Sequence, residues 1–375
     1  VCAPNAFKGT LTARAAASAL ARGVRDRGMR ALEVPVADGG DGTLDVLLAA
    51  AANVTDARVE HHRVTGPLGR AVTARLGWLD SRTAVVELAE AAGLRLLGAE
   101  RLDPLRATSR GAGELIRIAL DGNAARIIVG VGGSASTDGG AGLLQALGAR
   151  LFDDRGRSIG PGAAGLANVA RIDLGSLHPR LRDCAIDVAT DVRNPLSGPE
   201  GAATVFAPQK GATPDQVVAL DAALARFASI AERDAGAAGL AQLPGAGAAG
   251  GCGFALALIG ARLLPGAALV CDLVGLDAVL EGAAAVITGE GRMDMQTPEG
   301  KAPAEVATRA HRRGIPCAAV AGQISAEPPG LFDYAIALES IAGGEDSRRH
   351  VRALLRRAAA VAVDRVLPGG TRRPQ

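Results

Sequence analysis

At 375 residues the chain exceeds what one ordinary core accommodates, so two domains are expected. Hydrophobic residues at 48% and charged residues at 21% match a soluble globular protein, whereas aromatics at 2% and a net charge of +2 exclude base-stacking platforms and a basic nucleic-acid surface. The core must be built from Ala, Val, Leu and Ile, and 50 glycines point to many tight strand-to-helix turns.

The five cysteines (Cys2, Cys184, Cys252, Cys271, Cys317) show no C-x-x-C spacing, which argues against a disulfide framework or zinc site and for reduced thiols in the cytoplasm. No apolar run reaches the roughly 18 residues of a membrane helix, and no signal peptide is visible, so a cytoplasmic protein is expected. Of 41 Lys and Arg residues only Lys8, Lys210 and Lys301 are lysines, each next to a glycine in a loop-like motif. Lysine is a compact point charge on a flexible stem, suited to one phosphate oxygen or carboxylate.

In chain order, Val1 to Pro4 reads as the end of a strand whose beginning is missing, so the start is expected to be incomplete. Asn5 to Thr10 is a loop, and Thr10 or Thr12 caps a helix running to about Gly28. Such a loop offers free N–H groups to an anion, with Lys8 adding a full charge, but it lacks Walker A spacing. Leu32 to Val36 is a second strand, followed by Asp38-Gly39-Gly40-Asp41-Gly42-Thr43 and a helix through Ala52. Asp38 and Asp41 supply hard oxygens for magnesium or a hydroxyl, and Asp41 reads equally as a helix cap.

From Arg58 to Leu88 the pattern alternates as hairpins, with Gly66-Pro67-Leu68-Gly69 as a turn and His61 and His62 facing solvent. A helix starts at Arg106 and ends near Leu120. The strand Arg126 to Val131 then runs into a loop, Gly132 to Gly140, whose glycines and hydroxyls form a phosphate cradle. Its spacing is wrong for a dinucleotide fingerprint. The strand Ala185 to Val188 ends near Asp191, placed where a buried carboxylate acts as a base, with Asn194 and Pro195 shaping the turn. Ala207 to Thr213, containing Lys210, precedes a helix from Pro214. Gly236 to Gly253 is either a flexible linker or a phosphate-binding turn.

The apolar run Ala283 to Ile287 reads as a buried parallel strand breaking into a loop that holds Glu290, Arg292, Asp294 and Lys301. Ligands bind beyond the carboxyl ends of strands in open α/β sheets, which puts this loop at a site. A helix from Ala302, strands Cys317 to Val320 and Tyr334 to Glu339, a basic helix Asp346 to Val366 and a disordered tail from Pro368 complete the reading. The expected fold is α/β: a parallel-sheet domain over 1–57 and 255–375, interrupted by an α/β domain with a mixed sheet over 58–254, with the active site in the cleft between them.

Glycine loops each carrying one charged group, three isolated lysines and several aspartates suggest phosphoryl transfer, a chemistry of positioning and charge neutralisation. Over essentially its whole length the chain resembles the bacterial glycerate kinase family of the first type. The resemblance rests on A-P-N-A-F-K-G-T-L-T-A, V-A-D-G-G-D-G-T, V-T-G-P-L-G-R, V-G-G-S-A-S-T-D-G-G-A-G, T-D-V-R-N-P-L-S-G-P, F-A-P-Q-K-G-A, P-G-A-G-A-A-G-G and I-T-G-E-G-R-M-D-M-Q-T, in that order. It departs at Asp41, where the family pattern has glutamate, at Thr137, where it has an amide, and at Thr190, where it has cysteine.

The resemblance implies a flavodoxin-like first domain and phosphorylation of D-glycerate with ATP and Mg2+ as cofactors. The 2-hydroxyl is the favoured acceptor; the 3-hydroxyl and a non-catalytic glycerate-binding sensor are the alternatives. Lys8 and Arg292 would hold the glycerate carboxylate or the transferred phosphoryl, with Asn5 and Lys210 among the substrate or phosphate contacts. Asp191 would be the base on the substrate hydroxyl, with Asp294 its rival. Asp38 and Glu290 would hold magnesium. Gly132, Gly133, Ser134 and Ser136 would cradle phosphate, and Lys301 would neutralise it. No nucleic acid or membrane partner is implied, and the protein is expected as a monomer or homodimer.

Overall fold

β1 (Cys2–Pro4) opens the chain, of which this computed structural model describes residues 1–52, 54–98, 101–294, 297, 300–325 and 330–367. β2 (Arg58–Thr65), β3 (Ala71–Trp78), β4 (Thr83–Glu87) and β5 (Arg126–Gly130) follow. Next come β6 (Arg150–Phe152), β7 (Arg171–Asp173), β8 (Ala185–Thr190) and β9 (Arg262–Pro265). β10 (Val286–Met293), β11 (Cys317–Ile324) and β12 (Tyr334–Ala337) lie in the last third. The chain divides into two compact units: Val1–Asp38, Asp45–Ala50 and Pro265–Gln375 in one, Gly39–Leu44 and Ala51–Leu264 in the other.

The first unit holds a four-stranded parallel sheet in the order β1-β10-β11-β12. The segment expected as a second strand, Leu32 to Val36, runs beside β1 but carries only one parallel bridge, Cys2 to Glu33. Cys2 N donates to Leu32 O (2.8 Å), Val34 N to Cys2 O (2.9 Å) and Val36 N to Pro4 O (3.0 Å). Pro4 has no N–H to return, so the ladder stops there. With this segment counted, the spatial order is the flavodoxin-like 2-1-3-4-5. The helix Ala13–Arg25 is capped by Thr12, which accepts from Ala15 N (3.2 Å), and its alanine-rich face packs on the helix Val351–Val366. The basic segment near the C-terminus is two helices, Gly344–Arg349 and Val351–Val366, broken at His350.

β10 corrects one expectation. Glu290 and Arg292 belong to the strand rather than to a loop after it, because β10 stays paired with β11 through Glu290↔Ala321 and Arg292↔Gln323. Two residues apart, Glu290 and Arg292 share one face of the strand, with Glu290 buried and Arg292 exposed nearer the strand's end.

The second unit holds a six-stranded mixed sheet in the order β2-β3-β4-β5-β8-β9. β2 and β3 form the expected hairpin, closed by Gly66 N to Arg70 O (2.7 Å), and β4, β5 and β8 run parallel. Trp78, Leu115, Ile127, Val129 and Val188 lie in its main core. The helix expected from Arg106 spans Arg110–Asp121, because Thr108 and Ser109 turn instead to a buried aspartate described below. Thr213 and Gln216 form a capping box that starts the helix Pro214–Ala235.

The glycine-rich stretch 236–253 is not a linker. Ala248 and Gly250 to Gly253 are buried, with Ala249, Gly250 and Gly251 left-handed. A Cβ on Gly250 would lie 2.1 Å from the Ser136 carbonyl oxygen, so only glycine lets the two segments touch. All five cysteines are buried and free, and among the described residues no helix is long and apolar enough to cross a membrane. The tail from 368 lies outside the described residues.

Candidate active site

In the first unit, two buried carboxylates stand beyond β1 and within the carboxyl-terminal half of β10. Asn5 leaves β1 with its N–H on Gly289 O (2.8 Å) and its side-chain amide on Asp38 Oδ2 (2.8 Å). Asp38 is 6% exposed and Glu290 7% exposed, close enough that the Asp38 charge raises the cost of ionising Glu290. Thr297, wholly buried, donates to Glu290 Oε1 (3.1 Å). Burial pushes the Glu290 carboxyl up to about 7; Lys301 and the Thr297 hydroxyl pull it back, while Asp38 and Asp294 raise it further.

The cations are nearer solvent. Lys301 Nζ bonds Asp294 Oδ1 (3.2 Å), Arg292 Nε lies 4.0 Å from Asp294 Oδ2, and Lys8 is exposed in the Phe7–Thr10 turn. Met295, Gln296, Pro298 and Glu299 of the same motif lie outside the described residues.

This arrangement fits a hard divalent cation. Two carboxylates are held in a low-dielectric site that favours neutralising them, and oxygen is the ligand type magnesium takes. Among the described residues no group of three or more His, Cys, Asp or Glu side chains could hold a metal. A two-carboxylate site whose remaining positions go to water and phosphate is the usual magnesium arrangement.

In the second unit, loops gather at the carboxyl ends of β4, β5 and β8. Gly132 N donates to Gly39 O (3.1 Å), so the loop after β5 and the Asp-Gly-Gly-Asp-Gly-Thr loop are stitched together. Gly39 has φ +95°, and a Cβ there would lie 2.3 Å from the Ala189 carbonyl oxygen at the end of β8. Gly133 is exposed at the crest of its loop, whereas Ser134 and Ser136 are buried with their hydroxyls 3.1 Å apart. The crest and backbone of this loop, not the Ser136 side chain, are what a ligand can reach.

Lys210 is 3% exposed, beneath the loop, and donates to the Ser136 carbonyl. Burial lowers its pKa to about 8, against the charges of Cys252 and Asp138, which raise it. Its position braces the loop and gives it no route to a phosphate in solvent. Asp191, one residue past β8, is exposed rather than buried, because the core ends at Thr190 and the chain bends away. Asn194 shapes the following turn by donating to Glu200 O (2.7 Å).

Two further acids here received no role from the sequence. Asp138, wholly buried, accepts from Ser109 N (2.8 Å), Ser109 Oγ (2.9 Å) and the amides of Gly140 and Gly142. Burial raises its pKa against those bonds. Next to it, the Thr137 hydroxyl is buried with no hydrogen-bond partner. Glu87, 1% exposed at the end of β4, accepts from Gly42 N and Leu44 N, both at 3.1 Å. It, not Asp41, caps the helix Thr43–Ala51. Its signal was available in Thr-Ala-Val-Val-Glu, an acid closing an apolar run at the carboxyl end of a strand.

The chain matches the sequence profile of the glycerate kinase family over residues 1–364. It is 44% identical over 368 residues to the glycerate kinase of Bacillus subtilis (strain 168), covering 96% of this chain and 95% of the relative. It is 45% identical to the glycerate 2-kinase of Escherichia coli (strain K12), covering 87% and 85%. A crystal structure assigned as glycerate kinase 2 from Salmonella typhimurium LT2 superposes with a TM-score of 0.83 at 44% identity, covering 96% of both chains. The chain belongs to the glycerate kinase family: it is an α/β kinase with a small-molecule substrate.

Proposed function

We propose that this enzyme transfers the terminal phosphoryl group of ATP to the 2-hydroxyl of D-glycerate, giving 2-phosphoglycerate and ADP. The observation that carries the reading is the pair of buried carboxylates, Asp38 and Glu290, in a segment that also holds Arg292, Asp294 and Lys301. The 2-hydroxyl is supported by the 45% identity to the Escherichia coli protein named glycerate 2-kinase.

Asp38 and Glu290 would hold Mg2+, which when bound neutralises charge on the phosphates. Lys8 and Arg292, both exposed, bind and orient the glycerate carboxylate or the transferred phosphoryl, and Asn5 fixes Asp38 through its amide. Lys301 adds positive charge beside Asp294. Asp191 takes the proton of the substrate hydroxyl. Asp294 is less suited to that task because Lys301 and Arg292 both engage its carboxylate. Gly132, Gly133 and Ser134 present the loop that meets phosphate, with Ser136 and Lys210 supporting it from below.

Phosphorus NMR of the product formed from ATP, Mg2+ and D-glycerate tests this directly. A 2-phosphoglycerate signal is expected. A 3-phosphoglycerate signal would overturn the acceptor position, and glycerate binding without turnover would overturn the kinase reading.

A further inference from the structure

Glu87 is a buried acid that no step above uses, in surroundings that an apolar core residue would fill more cheaply. Its neighbour Glu90 is neutralised by Arg75 (2.9 Å) and by Arg95. Glu87 itself has Arg95 only at 4.0 Å, so its carboxylate is answered mainly by the amides of Gly42 and Leu44. Those amides belong to the start of the helix Thr43–Ala51, where N–H groups lack partners within the helix and the dipole favours an anion. The Thr43 hydroxyl itself donates to Gly40 O (2.7 Å).

The contacts continue past the helix start. Gly39 O accepts from Gly132 N (3.1 Å), and a Cβ on Gly133 would lie 2.8 Å from Asp41 Oδ1. One carboxylate on β4 therefore fixes the Gly39–Thr43 loop, and that loop fixes the crest of the glycine loop after β5.

We propose that Glu87 is a positioning residue for phosphoryl transfer, holding the Gly39–Thr43 loop and through it the Gly132–Gly133 crest in the reactive conformation. The inference rests on the kinase reading for its kinetic consequence, but its structural premise stands apart from that reading. What matters is an oxygen acceptor at the reach of glutamate. Glutamine keeps that acceptor without the charge, aspartate keeps the charge without the reach, and alanine keeps neither.

The test compares Glu87→Gln, Glu87→Asp and Glu87→Ala with the wild-type enzyme, using glycerate and Mg-ATP and normalising to folded protein. Expected is kcat within about threefold of wild type for Glu87→Gln, and at least about tenfold lower for the other two, as a misplaced loop loses the oriented geometry. A purely structural role would lower thermal stability while leaving kcat and KM of the folded fraction unchanged, which would overturn the proposal. So would a Glu87→Gln variant as slow as Glu87→Ala. If Glu87→Ala and Glu87→Asp do not fold, amide exchange in Glu87→Gln decides: protected Gly42 and Leu44 amides with near-wild-type turnover support the proposal. Unprotected amides with full turnover sink it. A wild-type enzyme that does not phosphorylate glycerate would defeat the kinase reading instead, and the same amide exchange still tests the capping role.

Discussion

Replacing Lys210 with methionine should separate stability from activity. Burial lowers the ammonium pKa from its ordinary 10.5 to about 8, so at 1.36 kcal/mol per pKa unit the charged form is disfavoured by about 3 kcal/mol. Methionine removes that penalty with little change of volume, but it leaves the Ser136 carbonyl without its donor, a loss of about 1–3 kcal/mol. At pH 7 the two effects partly cancel, and the variant should match wild type or exceed it by up to about 2 kcal/mol. The native state releases the Lys210 proton before the unfolded chain does, so wild-type stability gains from this group as pH rises from about 8 to 10.5. The variant lacks that gain and should be the less stable protein by pH 10.5. Its kcat at pH 7 should nevertheless fall roughly 10- to 100-fold, because the glycine loop loses its brace. Denaturant titrations of both proteins at pH 7, 9 and 10.5, with kcat at pH 7, measure all of this. Parallel stability across the pH series would refute the buried-charge reasoning. An unchanged kcat with a raised KM for ATP would show that Lys210 meets phosphate instead of bracing the loop.

Asp191→Asn should lower kcat by about 10²- to 10⁴-fold with glycerate KM little changed, the loss of a general base; a larger loss for Asp294→Asn would reverse the assignment. Asp38→Asn and Glu290→Gln should each raise the Mg2+ concentration for half-maximal rate at least about tenfold, since disturbing even an outer partner of a metal ligand costs that much. A magnesium titration at saturating substrates reads this. Thr137→Val removes a buried hydroxyl that has no partner and should stabilise the protein by about 1 kcal/mol in denaturant titration, with kcat unchanged.

Much of the fold was legible because its signals are local. The Gly66–Gly69 turn, the Thr12 cap and the apolar runs of β5, β8 and β10 each lie within a few residues of one another. The full length of β10 was hidden because its polar half is held by β11, some 30 residues away, and a run containing Gly289 and Gly291 reads locally as a break. The strand expected at Leu32–Val36 failed for the opposite reason. Its alternation is good, but its partner is three residues long and ends in proline.

The site divided along the same line. Residue types that demand an explanation wherever they fall, such as a lysine in an arginine-rich chain, were found; residues defined only by their partner were missed. Glu87 and the amides it caps are more than 40 residues apart, and neither end announces the other. The three lysines show how far a type signal reaches. Lys8 is exposed, Lys301 pairs with Asp294 and Lys210 is buried against one carbonyl, so a shared compositional signal covers three environments. Only the buried one explains why arginine would not serve. A guanidinium brings five N–H donors, and a cavity offering one carbonyl would leave most of them unmet, whereas an ammonium on a flexible stem can be buried there. At Lys210 the choice of lysine is therefore set by packing beneath the loop, and the chemistry above depends on it indirectly.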